Sequence, residues 1–212
     1  MFRDASSFNQ DLGWCVDDNV DLDDAYRDTP CELTSCGIYY PAALMCGGAP
    51  MSNIAIRAAV TAWLSDSTST EAAYGHISTW ETGGVKDMSR LFSKASSFND
   101  DITGWDTSGV RRMKDMFKGA VSFNQPLKGW NVGKVMNMHG MFSYASSFNQ
   151  PLGGWNVDEV ENISLMFCDA SAFNQDLGWC VDANVDLKYA FDGTIIGTIL
   201  NLHTIKQRLI CF

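Results

Sequence analysis

The stretch SFNQPLKGWNV at residues 122–132 returns almost letter for letter as SFNQPLGGWNV at 147–157, 25 positions later. The same step organises much of the chain. Trp80, Trp105, Trp130, Trp155 and Trp179 keep it to within one residue, and Phe98, Phe123, Phe148 and Phe173 keep it throughout. So do the columns of Phe92, Ala95 and Val85, and a column running Met88, Met113, Met138 and Ile163. Chance does not hold six columns in one register, and a period of 20–50 residues is the signature of stacked units. A unit this short has too little chain to bury its own Trp and Phe, so neighbouring copies must share one core.

The unit reads L-x-G-W-x-V-x-x-V-x-x-M-x-x-M-F-x-x-A-x-S-F-N-Q-x, and its parts differ in period. Trp130 and Val132 flank an outward Asn131, which is strand-like alternation. Met113, Met116, Phe117 and Ala120 recur at i, i+3, i+4 and i+7, the spacing of one helix face. The expectation is therefore an α/β repeat: a leucine-rich-repeat-like solenoid of ~25-residue coils. Each coil would hold a short parallel strand, about 4.8 Å from the next, plus a short helix. The Trp and Phe columns read as core, because exposed aromatic ladders of that size would cost solubility. The polar column Asn99, Asn124, Asn149 and Asn174 reads as a ladder whose amides bond backbone groups or one another.

With these columns in place, the pattern resembles the BspA-like leucine-rich-repeat surface proteins, in the branch with a mycoplasma-lipoprotein-type domain of unknown function. The resemblance covers residues 77–192 closely and residues 1–37 as a partial unit. It implies a leucine-rich-repeat solenoid and an extracellular or cell-surface setting. Loosely, it implies binding or adhesion to an unknown protein or glycan. It brings no catalytic residues.

The chain opens with MFRDASSFNQDLGWCVDDNVDLDDAY, which aligns with residues 166–191, so Met1 stands at an internal Met column. We expect a truncated or mis-started chain, which would account for the lack of a recognisable signal peptide. Residues 1–47 read as the last repeat and cap of a truncated first array. Residues 48–76 read as a linker with a capping helix, since Gly47-Gly48 and Pro50 break structure and Ser52 or Asn53 can cap. Ile56, Ala59, Val60, Trp63 and Leu64 give that helix an apolar stripe, followed by a Ser/Thr loop at 65–70. Four to five repeats occupy 77–192, and 193–212 form a divergent tail.

A net charge of −10 and a pI near 4.5 make nucleic acid a poor partner. The one basic cluster, Arg111, Arg112, Lys114 and Lys118, reads as a solvated face. No apolar run is long enough to span a membrane. Seven cysteines without metal-ligand spacing fit an oxidising compartment, with a disulfide among Cys15, Cys31 and Cys36 as the leading reading. His76, His139 and His203 fall in unrelated segments, and His139 occupies an outward column. Asp17, Asn19, Asp21 and Asp23 alternate like oxygen ligands for Ca²⁺, yet Leu22 stands where an EF-hand loop needs Gly, and the second copy carries Lys188 opposite Asp23. We therefore expect no cofactor. The expected function is a non-catalytic surface module, with a structural spacer as the alternative. Its expected ligand face is the line Glu81, Asp106, Asn131 and Asn156, supported at its edge by Arg111 and Arg112.

Overall fold

The computed structural model describes residues 50–195. The tail beyond residue 195 and the stretch 1–49, with Cys15, Cys31, Cys36 and the candidate Ca²⁺ ligands, lie outside the described residues. Helix α1 spans Asn53–Ser65 and starts where Ser52 Oγ accepts the Ala55 N–H at 3.1 Å. Ala55, Ile56, Ala59, Val60 and Trp63 are buried on one face, whereas Leu64, assigned to that stripe, is 43% exposed. Asp66 ends α1 and caps α2 (Ser67–Tyr74), its Oδ1 accepting the Ser69 N–H. The expected Ser/Thr loop at 65–70 is thus largely helix. Ser and Thr disfavour helix only weakly once capped, and Glu71, Ala72 and Ala73 continue the turn.

A short 3₁₀ turn at Ile77–Thr79 leads into the repeats, and here the expected strand-plus-helix solenoid is overturned. Among the described residues there is no strand, and no helix beyond α1, α2 and that turn until the chain leaves the last repeat. Each repeat is a chain of tight turns. Between described residues, sheet-like pairing is confined to isolated parallel bridges that run Asp87–Arg112–Asn137–Asn162–Asp186.

The segment that the i, i+3, i+4 spacing assigns to a helix shows why. Met113, Asp115, Phe117 and Gly119 donate their N–H groups to Asn137, His139, Met141 and Ser143 of the next repeat, at 2.7–2.9 Å. The residues between them, Met116, Lys118 and Ala120, donate three residues back. Alternate amides thus leave for the neighbour, so no i→i−4 ladder closes. Asp115 and Gly119 also carry positive φ, 54° and 71°, which a right-handed helix forbids. The same two columns are left-handed in every repeat, at Arg90 and Lys94, Gly140 and Tyr144, Leu165 and Asp169, and Tyr189 and Gly193.

The apolar columns are nonetheless core. Phe92, Phe117, Phe142, Phe167 and Phe191 stack at 5.4–5.6 Å between ring centroids, and Phe98, Phe123, Phe148 and Phe173 at 5.8–6.1 Å. The Trp column is buried beside them, and each indole N–H donates to a carbonyl of the preceding turn: Trp105 to Ile77, Trp130 to Ile102, Trp155 to Leu127 and Trp179 to Leu152. A buried indole N–H needs such a partner. The Asn column bonds the backbone: Asn99 Oδ1 accepts the Asn124 N–H, and the pattern repeats from Asn124 to Asn149 and from Asn149 to Asn174 at 2.8–2.9 Å.

Candidate functional site

Between each Trp and the bridge column the chain makes one exposed turn. Glu81, Asp106, Asn131 and Asn156 open these turns and all are exposed, so Trp130–Asn131–Val132 does alternate in, out, in, but without a strand. The side chains of Asp106, Asn131 and Asn156 serve the turn itself. Asp106 Oδ1 accepts the Ser108 N–H, Asn131 Oδ1 the Gly133 N–H, and Asn156 Oδ1 the Asp158 N–H, at 2.9–3.1 Å. These are Asx turns. The Ser108 hydroxyl and N–H hold the Asp106 carboxyl below the usual carboxylate range, outweighing slight burial, with Lys86 and Lys134 adding to the effect.

Six residues after Trp stand Lys86, Arg111, Met136 and Glu161, and the bridge column follows. Sequence reasoning placed Arg111 and Arg112 at the edge of a strand surface. Instead Arg112 forms the bridge, its guanidinium 3.9 Å from Asp87 Oδ2, and the Arg111 N–H donates to Lys86 O. Both side chains are exposed. The two lines therefore flank one ribbon of turns, basic near Lys86, Arg111, Arg112 and Lys134 and acidic at Asp158, Glu159 and Glu161.

Several residues fall elsewhere than their spacing suggested. His139 is half-buried, its Nδ1 2.8 Å from Ser164 Oγ, because its column stacks upon that Ser one repeat on. Ser164 Oγ also lies 2.7 Å from Asn162 Oδ1, so the ring joins a polar chain along the stack. His76 caps the 3₁₀ turn and meets Trp63 edge-on at 5.2 Å, while His203 lies outside the described residues. Cys168 is a free thiol; burial pushes its pKa up to about 11, with the Asp169 carboxylate adding to the shift. Cys180 is disulfide-bonded. Among the described residues no cluster of His, Cys, Asp or Glu is arranged to hold a metal ion.

Two features escaped the sequence. Asp115 is buried with Oδ1 lacking a hydrogen-bond partner, Arg90 Nε and Lys118 Nζ each standing 3.7 Å away from its carboxylate. Its backbone is left-handed, which no side-chain pattern announces. The second is the polar face of α1. Asn53 Oδ1 accepts the N–H groups of Lys86 and Asp87, and the Arg57 guanidinium donates to the carbonyls of Ser89 and Asp87. Those backbone groups are the ones a preceding repeat would have bonded.

Residues 62–193 match the family described as Mycoplasma protein of unknown function, DUF285, and with well over half its length matched the chain belongs to that family. No curated protein and no solved structure matches the chain. No helix among the described residues is long and apolar enough to cross a membrane.

Proposed function

We propose that this member of the Mycoplasma family of unknown function is a non-catalytic interaction module of a cell-surface or secreted protein, binding a protein or glycan through its ribbon of exposed turns. One observation carries the reading. The buried columns stay apolar, with Trp and Phe repeated unchanged, whereas the exposed positions between Trp and the bridge change chemistry from repeat to repeat, from Lys86 and Arg111 to Met136 and Glu161. Packing constrains the first set, so any specification of a partner falls to the second. Kinship with the BspA-like surface proteins is part of the proposal, and the disulfide at Cys180 supports an oxidising setting. With the Trp column sealed, recognition would rest on the polar groups of the exposed turns.

The spacer reading has an observation of its own, since the Asx oxygens are already engaged within their turns. The test is a binding screen against glycan arrays and surface-protein libraries. A pair Arg111→Ala and Arg112→Ala removes charge, and Asp106→Asn with Asn131→Asp swaps charge while keeping the Asx acceptors. A ligand whose affinity falls at least tenfold with either pair supports the module. A ligand indifferent to both places the contact elsewhere, and no ligand at all favours the spacer.

A further inference from the structure

The residue after the Val of each exposed turn runs Lys86, Arg111, Met136, Glu161 and Asp186: two cations, a neutral centre, two anions. These five also form one row of the structure. Each N–H donates to the carbonyl of the member before it, Arg111 to Lys86, Met136 to Arg111, Glu161 to Met136 and Asp186 to Glu161, at 2.9–3.1 Å. Neighbours so bonded stand ~4.8 Å apart, and the row spans roughly 19 Å. Its four charged members are exposed, with Met136 half-buried between them. The charged heads of Arg111 and Glu161 make no ion pair with any described residue.

The row is antisymmetric in charge about Met136, and a two-fold rotation turns that antisymmetry into complementarity. We propose that this face pairs with the same face of a second copy of the chain, the two stacks antiparallel and Met136 on the axis. Arg111 then meets the partner's Glu161, and Lys86 meets the partner's Asp186. Each pair occurs twice, because a two-fold interface is self-complementary. Met136 packs against the partner's Met136, a residue type that suits an interface core. A parallel pairing would instead set Arg111 on Arg111 and Glu161 on Glu161, and like charges in contact cost affinity.

The stack as a whole has the same polarity. Residues 86–134 hold nine Lys or Arg against five Asp or Glu, and residues 135–192 hold one against eight, so antiparallel stacks set basic half on acidic half at both ends. Two positions beside the row oppose like charges. Lys134 falls opposite the partner's Lys134, with the partner's Glu159 one repeat away to take its charge. Asp87 falls opposite the partner's Asp186, but Arg57 and Arg112 already neutralise it. Lys86 feels Asp106 of its own copy, so the inner pair of Arg111 and Glu161 is the sharper test. Exposed ion pairs each contribute little, and the dimer is accordingly weak and reversible. Self-pairing does not rest on the foreign-partner reading, which stands or falls by its own binding screen.

Analytical ultracentrifugation of the full chain, in a series up to about 1 mM protein, tests the pairing. Both copies are acidic overall. At ~0.15 M salt the Debye length of about 8 Å screens that net repulsion while contacts persist, and at ~1 M the contacts are screened too. The expected result is a monomer–dimer equilibrium at the lower salt that weakens at least tenfold at the higher. Arg111→Glu alone and Glu161→Arg alone should each weaken it at least tenfold, the second although it lowers the net charge. Mixed in equal amounts, these two variants should associate about as strongly as the parent, because each then meets its opposite. One chain carrying both changes should dimerise like the parent. A parent that stays monomeric throughout would overturn the proposal, as would single variants that dimerise like the parent. So would a mixture and a double variant that both stay as weak as the single changes. Assemblies that grow beyond the dimer would assign the charges to an open-ended contact and overturn the two-fold pairing.

Discussion

Lys94 sits at φ 65° with its side chain in solvent, the place that Gly119 fills one repeat later at φ 71°. A left-handed backbone costs an L-residue about 1–2 kcal/mol. Glycine escapes that cost but gives back about 0.5–1 kcal/mol in unfolded-chain entropy. The bond from the Lys94 N–H to Lys118 O survives the change, because glycine keeps its N–H. Lys94→Gly should therefore stabilise the protein by roughly 0.5–1 kcal/mol. In a helix over the same residues it would cost about 1 kcal/mol, so the two geometries differ in sign. The converse change, Gly140→Ala, meets φ 60° and would set its Cβ 2.5 Å from Asp115 Oδ1. Strain of about 1–2 kcal/mol with about 1 kcal/mol of overpacking gives a loss of roughly 2–3 kcal/mol. Urea unfolding followed by tryptophan fluorescence reads both, provided the slope m is unchanged. A Lys94→Gly protein with a lower midpoint than the parent would refute the turn geometry.

Trp130→Ala should cost about 3–5 kcal/mol, since it opens a cavity in the ring stack and orphans Ile102 O, whereas Asn131→Ala should cost only about 0.5–1.5 kcal/mol for one exposed turn bond; equal losses in urea melts would sink the inward/outward assignment. At Asp87, burial raises the carboxyl pKa, but the Ser89 hydroxyl and N–H with the Arg57 and Arg112 guanidinium groups outweigh it, and the folded value is lowered. The unfolded chain then binds the proton more readily, so this contribution is complete above the ordinary value of about 3.9 and is lost as pH falls through the folded one. Asp87→Asn should flatten stability against pH between about pH 5 and 2, and a profile as steep as the parent's would contradict the assignment.

The columns were legible because burial is written in residue type. Phe117, Trp130 and Phe148 are inside for the reason their spacing gives, and the Asn ladder bonds backbone as its constancy suggested. Backbone conformation was not legible, and that is where the expected solenoid of strand plus helix failed. Met113, Met116, Phe117 and Ala120 satisfy a helical pattern, but a chain of turns can bury the same four, and periodicity senses only which side is inward. What decides is the left-handed pair of positions, and these are Arg90 and Lys94 in one repeat and Leu165 and Asp169 in another. Only Gly119, Gly140 and Gly193 carried the usual signal, and three glycines scattered over two columns do not announce a rule. The ligand-face line was placed correctly as exposed and wrongly as a strand, because an Asx turn and a strand edge both favour Asp and Asn outside with Val and Trp inside.

The polar face of α1 gives the ladder a direction. A repeat stack presents N–H groups at one end and carbonyls at the other, and either end recruits whatever pairs with it. Asn53 and Arg57 lie one helical turn apart, so a single face presents an acceptor for the amides of Lys86 and Asp87 and a donor for the carbonyls of Asp87 and Ser89. Two side chains thus stand in for a whole preceding repeat, and the apolar face between Ile56 and Trp63 closes the core beneath them. No further repeat can be added there without displacing α1, which is held at Asp100 by the Trp63 indole, while Met51 just before it donates to Glu81 O.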